Sequence, residues 1–309
     1  MRTEPAKPML RDLANRRLRF TLVGDLVQDI VAVLSQPLHL GGQAEADITH
    51  HRGGSAANIA YHLAQLNATA RFVGRVGTDD TGDWLIQALH SADVEVCVTR
   101  SGKSNTVVCV VDDSGQRSFI ADTAAAAGAG SGQELRVEHV ADTDVLHLSG
   151  YWLCSQSETE TLQTIVQAAK NAGVLITVDA GNFDRLRLYG NEAFLQLLGR
   201  LSPDILFLNQ EEWNELHSAC ERLPVPIVVC TRGERPTQVY RDGVILLEHA
   251  VSPVKNIVDT TGAGDGFVAA FLYKFCRGEN LTTSIEHGHA LARQVILTAG
   301  AVPRTYEIE

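Results

Sequence analysis

Apolar residues follow two alternating periods along the chain. Short apolar runs at Leu18 to Val23, Arg71 to Val76, Val145 to Ser149, Leu175 to Asp179, Ile205 to Leu208 and Ile227 to Thr231 have the β-branched content and turn-residue boundaries of buried strands. Between them, residues 54–66, 81–92, 157–172, 193–201 and 211–219 carry apolar side chains at helical spacing. Strand and helix repeated in this way predict an α/β domain with a mostly parallel central sheet and helices on both faces.

Two stretches break the rhythm: Pro37 to Arg52, and Glu95 to Ile120, where Asp113-Ser114-Gly115 follows the strand-like run Thr106 to Asp112 and reads as a hairpin turn. Together they predict a small sheet outside the main layer. The Ala- and Gly-rich segment 121–132 reads as a flexible loop, and no internal repeat is present.

A length of 309 residues suits one large domain, and 45% hydrophobic with 20% charged residues is the composition of a globular chain rather than a disordered one. The formal net charge of −11 argues against a surface that neutralises nucleic-acid phosphates, so any phosphate the chain binds should be held locally. The longest apolar stretch, Phe20 to Leu34, is interrupted by Asp25 and Asp29; no membrane span is expected, and the basic segment Arg2 to Arg19 leads into no signal peptide. Six cysteines without metal-ligand spacing read as reduced thiols in a cytoplasm.

The most informative motif is Asp259-Thr-Thr-Gly-Ala-Gly-Asp265, followed by the apolar helical run 266–275. A glycine-rich turn opening a helix is an anion site, because backbone amides approach the ligand closely and the helix end adds free donors and a favourable dipole. Asp265 at that end has two readings: a helix cap, or a general base beside a bound phosphate. A second small-residue helix start, Gly53-Gly54-Ser-Ala-Ala-Asn58, either packs closely or seats a polyol, with Asn58 as donor and acceptor.

With both motifs in this order the sequence resembles the ribokinase-like carbohydrate kinases, the PfkB family. The first signature runs from Gly53 through Gly74-Arg-Val-Gly-Thr-Asp-Asp-Thr-Gly82, the second is the 259–265 run with its helix, and the likeness spans roughly residues 18 to 303. The resemblance implies a three-layer α/β/α domain with a small β-sheet lid, here the inserted segments 37–52 and 95–120, after an N-terminal extension at 1–17. It implies ATP-dependent phosphorylation of a sugar or polyol hydroxyl, with Asp265 as catalytic base and the amides of Gly262, Ala263, Gly264 and Asp265 as an anion hole. Asp29, five residues after Gly24, matches the family carboxylate that binds sugar hydroxyls, and Gly53, Gly54 and Asn58 complete the acceptor site.

By the same resemblance Asn209 and Glu212 form the Asn-x-x-Glu motif that organises Mg²⁺ through water, and Thr231 and Gly233 border the nucleotide. Without the resemblance, Glu212 reads as a solvated carboxylate at a helix start. Asp259 and Thr261 match positions that ligate a monovalent cation such as K⁺ in many relatives; a turn-capping role for Asp259 is an equal alternative. The run Asp179-Ala-Gly-Asn182 departs from the usual family sequence and is left out of the expected site, and Gly233-Glu-Arg-Pro236 departs near the nucleotide.

Other motifs lead nowhere. Gly102-Lys103-Ser104 lacks the earlier P-loop glycine, the 262–266 glycines lack a following βαβ unit, and His50, His51, His287 and His289 show no metal geometry. A nucleoside kinase of the same family and a non-catalytic sugar-binding regulator remain the competing readings. The acceptor itself, whether ribose, fructose, a sugar acid or a nucleoside, is left to lid residues around Thr106, Val108, Phe119 and Asp122. A homodimer paired through the lid is expected from relatives.

Overall fold

The computed structural model describes residues 16–112, 116–122, 135–155, 159–220, 222–303 and 306. The chain opens with β1 (Arg19–Val23), β2 (Val27–Leu34), β3 (Ala46–Gly53), α1 (Ser55–Gln65), β4 (Thr69–Val76), α2 (Asp80–His90), β5 (Val94–Arg100), β6 (Asn105–Val111) and β7 (Arg117–Asp122). It continues through α3 (Val137–Val140), β8 (Val145–Leu148), α4 (Gly150–Leu153), α5 (Thr159–Asn171), β9 (Leu175–Asp179), α6 (Phe183–Tyr189) and α7 (Asn191–Leu201). The last third holds β10 (Ile205–Asn209), α8 (Gln210–Ala219), β11 (Ile227–Arg232), β12 (Arg235–Arg241), β13 (Val244–His249), α9 (Ala263–Cys276) and α10 (Leu281–Ile296).

Nine strands form the main sheet in the order β13-β12-β11-β10-β9-β8-β1-β4-β5. From β11 to β5 every pairing is parallel, and β12 and β13 close one edge as an antiparallel meander. Alternation along the buried strands sends side chains to two cores. Phe20, Leu22 and Phe72 pack with Ile59, Leu63, Phe267 and Phe271 on one face. On the other, Leu146, Leu148, Ile176 and Val178 pack with Ile165, Phe194 and Leu197. The fold is therefore the three-layer α/β/α arrangement, with α1, α9 and α10 on one side.

A separate four-stranded sheet, β3-β2-β6-β7, is the candidate lid. Its boundaries differ from the expected 37–52 and 95–120. Residues 94–100 run as the edge strand β5, paired in register with β4, because Val94, Val96 and Val98 pack onto the first core. The lid instead takes in residues 27–34, whose apolar run is interrupted by Gln28 and Asp29 and whose side chains are only half-buried. The Asp113-Ser114-Gly115 turn, most of the segment 121–132 and all but 16 and 17 of the N-terminal extension lie outside the described residues. All six cysteines are free thiols. Among the described residues no helix is long and apolar enough to cross a membrane.

Candidate active site

The N-termini of α1 and α9 converge beyond the carboxyl ends of β8, β9 and β10, where open parallel sheets bind ligands. Gly262 is the N-cap of α9, with φ 76°, and a Cβ there would also come 2.4 Å from Cβ of Ala301, so only glycine fits. Gly264, two residues on, is exposed and has no atom within 4 Å of a built Cβ. Its missing side chain serves no packing purpose in the protein. It leaves the first turn of α9, whose amides lack intrahelical partners, open to an approaching anion.

Asp265 is the third residue of that turn, and no side chain caps the helix. Its carboxylate turns toward α1: Ser55 Oγ donates to Oδ1 at 2.7 Å and Asn58 Nδ2 to Oδ2 at 2.8 Å. The capping alternative is therefore not what the geometry displays. Burial pushes the Asp265 carboxyl up to about 6; the hydrogen bonds from Asn58 and Ser55 and the nearby His147 oppose the rise, and Asp179 adds to it.

Asp179, which the sequence reading left aside, belongs to the same cluster. Its Oδ2 lies 3.1 Å from His147 Nε2 and 3.4 Å from Ser55 Oγ, while Gly150 N donates to Oδ1 at 3.2 Å. His147 is fully buried and its other ring nitrogen meets Thr177 Oγ1 at 2.9 Å. The available signal was positional: Asp179 ends a buried strand just before Gly181, whose φ is 85°. Ser55 was hidden among small residues at a helix start.

Gly53 and Gly54 are required by close approach. A Cβ on Gly53 would fall 2.1 Å from Oδ2 of Asp29, and one on Gly54, at φ 98°, would fall 2.1 Å from the Asp25 carbonyl oxygen. Gly53 thus lets the Asp29 carboxylate lie across the β2–β3 pair. Burial pushes Asp29 up to about 6, with Arg52 opposing and Asp259 reinforcing. In the lid register Asp29 stands opposite His51 and Val107. Its face therefore carries Asn105, Val107 and Phe119, whereas Thr106, Val108 and Asp122 point to the other side, a correction that follows from the two-residue alternation of strands. Asn105 is buried and its Oδ1 has no hydrogen-bond partner.

Asn209 and Glu212 form a reciprocal capping box on α8: Asn209 Oδ1 accepts from the amides of Glu211 and Glu212, and Glu212 Oε2 accepts from Asn209 N at 2.8 Å. Glu212 is buried rather than solvated, and burial pushes its carboxyl up to about 7. A cleft of about 150 Å³ gathers Gly264, Asp265, Ser55, Asp179, Asn209, Glu212 and Thr231. Thr231 is the register partner of Asn209 across β10 and β11. Gly233, with φ 62°, turns the β11–β12 hairpin and lies outside this cleft.

Asp259 acts as a staple: Oδ1 accepts from Thr261 N at 2.8 Å and Oδ2 from Gly300 N at 3.0 Å, which ties the start of the glycine turn to the 299–302 segment. Among the described residues no three His, Cys, Asp or Glu side chains form a metal cage. Gly102-Lys103-Ser104 is a structural turn, held by Asp79 through Ser104 N at 2.8 Å.

Residues 19–307 match the pfkB family carbohydrate kinase family. The chain belongs to this family. It is 27% identical over 267 residues to the ATP-dependent ribose-1-phosphate kinase of Halopiger xanaduensis, which covers 83% of this chain and 84% of that protein. Among solved structures, the adenosine kinase of Sinorhizobium meliloti superposes with a TM-score of 0.81 at 21% identity, over 94% of this chain and 96% of that one. The Arabidopsis thaliana ribokinase complexed with ribose and ATP gives 0.74 at 24% identity, over 93% and 95%. At these identities the two structures establish the ribokinase-like fold of this pfkB-family chain.

Proposed function

We propose that the protein transfers the γ-phosphoryl group of ATP to a hydroxyl of a sugar or related polyol, with Asp265 as general base. The observation that carries this reading is the Asp265 carboxylate, held by Ser55 and Asn58 at the mouth of a glycine-opened helix and facing the cleft. In the transfer, Asp265 takes the hydroxyl proton as the acceptor oxygen bonds to the γ-phosphorus, and the bond to the β-bridging oxygen breaks with its electron pair leaving on ADP. Negative charge spread over the transferring group meets the amides of Gly262 to Asp265, fixed in place before the reaction. Asp29, Gly53, Gly54 and Asn58 hold the acceptor; Asn209, Glu212, Thr231 and Gly233 border the nucleotide.

Magnesium carried by the phosphates supplies charge neutralisation when bound. Glu212 fits it through water: each of its oxygens already accepts one hydrogen bond from Asn209 and keeps a lone pair, and no carboxylate cage competes for direct ligation. Asp259 and Thr261 are the K⁺ candidates, and Asp259's stapling of both loops is equally consistent with a purely structural part. The proposed compartment is the cytoplasm. A homodimer through the lid is part of the same reading, supported by the exposed Ile48 and Ile120 on the face opposite Asp29, and light scattering tests it.

A nucleoside acceptor is the second reading, favoured by the fold shared with an adenosine kinase. The deciding experiment is ATP consumption with ribose, ribose 1-phosphate, fructose, a sugar acid and adenosine, run with and without K⁺. Turnover on a sugar supports the first reading and turnover on adenosine the second. Binding of these compounds without turnover on any would overturn both in favour of a non-catalytic regulator.

A further inference from the structure

Arg52, the penultimate residue of the lid strand β3, is buried with only 9% of its surface exposed. Its Nη1 donates to Asn58 Oδ1 at 2.9 Å, and its guanidinium stacks over the Tyr61 ring at 5.1 Å. Among the described residues no carboxylate lies within ion-pair distance of it. Burying a cation without such a partner is costly, so the compensation comes from further away. Asn58 stands between: its carbonyl oxygen receives Arg52 while its Nδ2 donates to Asp265. Only this orientation of the amide satisfies both neighbours, since a flipped Asn58 would face donor to donor and acceptor to acceptor.

We propose that Arg52 is a positioning residue for the phosphoryl-transfer base: through the Asn58 amide it fixes the rotamer that aims Asp265 and sets a positive charge behind its carboxylate. The inference rests on the reading of Asp265 as the base. Charged and titratable groups reach Asp265 from several elements: Asp179 from β9, His147 from β8, Tyr151 from α4 and Arg52 from β3, with Asp29 of β2 facing Arg52 in turn. Among these groups His147 opposes the rise at Asp265, and Arg52 reaches the carboxylate across the Asn58 amide. The buried guanidinium thus has Asp265 and Asp29 as the carboxylates facing it, with Asn58 as the bridge to the first. Its place on β3, one residue before Gly53, also ties the lid strand to the base.

The test is a ¹³C NMR titration of aspartate carboxyl groups, with Asp265 assigned by the signal missing in Asp265→Asn. Arg52→Met removes an unpaired buried charge while keeping an apolar stem, a change that commonly preserves folding. It is expected to raise the Asp265 midpoint, since an opposite charge favours the ionised carboxylate. Arg52→Lys should return it most of the way, and Tyr61→Leu, which removes the stacking ring but no charge, should leave it in place. On an acceptor that turns over, the acid limb of kcat should move with the titration while the KM for ATP stays unchanged. An Asp265 midpoint unmoved in Arg52→Met, or moved equally in Arg52→Lys, overturns the proposal and leaves Arg52 a packing residue. The titration needs no turnover: a shifted midpoint with no acceptor phosphorylated would sink the kinase reading and leave the electrostatic link standing.

Discussion

A Cβ built on Gly262 would lie 2.4 Å from the Cβ of Ala301, whereas one built on Gly264 would meet nothing within 4 Å. Two glycines of one turn are thus required for different reasons. Gly262→Ala combines a left-handed φ with a clash and should destabilise the fold by about 1 to 3 kcal/mol, read by urea unfolding. Gly264→Ala sits in an open helical turn and should fold at least as stably, gaining up to about 1 kcal/mol of helix propensity. It should nevertheless lose ATP binding and turnover, because the added methyl occupies the approach to the amides. Normal nucleotide affinity in Gly264→Ala would remove the anion hole from α9.

Asp265→Asn should lower kcat by about 10² to 10⁴ fold while ATP still binds, as calorimetry would show. A near-normal kcat would reject the base.

The same substitution should stabilise the protein at neutral pH. The Asp265 carboxyl titrates at 3.8 in its ordinary state and is pushed up to about 6 by burial. Between those values the folded protein holds a proton that the unfolded chain has released, so folding stability falls as pH rises through that window and stays lower above it. Asparagine carries no such penalty, and its amide can still pair with Ser55 and Asn58. Asp265→Asn should be more stable than the parent by about 1 to 3 kcal/mol at pH 8, with the difference closing toward pH 4. Equal unfolding midpoints at pH 8 would mean that Asp265 is better solvated than its position indicates.

Gly53→Ala should act on the acceptor alone. The new methyl would need the space taken by the Asp29 carboxylate, which a built Cβ approaches at 2.1 Å. Displacing that carboxylate should raise the acceptor KM about tenfold or more, in line with the loss of about 1.4 kcal/mol from one charged hydrogen bond, and leave the KM for ATP unchanged. A change confined to the KM for ATP would place Asp29 elsewhere in the reaction.

Chelation with EDTA should abolish turnover and added Mg²⁺ should restore it. Glu212→Gln should raise the Mg²⁺ concentration needed for half-activity about 10- to 100-fold, the usual cost of losing an outer-sphere partner. An unchanged Mg²⁺ requirement would reduce Glu212 to the capping box it forms with Asn209.

Most of the fold was legible because the central strands, buried on both faces, read as continuous apolar runs and the helices between them keep their stripes. Legibility failed where side chains meet water on both faces of a strand. Residues 27–34 carry no clean alternation, so the middle strand of the lid was missed, while β5 was assigned to the lid although its valines face the main core. The site divided along a similar line. Asp265, Gly262 and Gly54 announced themselves through local glycine spacing. Asp179, His147 and Ser55 did not, since their importance arises from contacts that span 32 and 124 residues of chain. Arg52 carried no local signal, because its part arises from a side chain buried against Asn58.

Ser55 and Asn58 grip Asp265 from α1, a helix of the main body, so the proposed base is aligned before any acceptor arrives. An aligned base does not by itself tell a sugar hydroxyl from water, which is smaller and present at far higher concentration. On the proposed reading, discrimination then falls to the candidate lid, which would crowd solvent out around Asp29 as the acceptor settles. A slow leak of ATP to hydrolysis when no acceptor is present is the signature of a site assembled in advance.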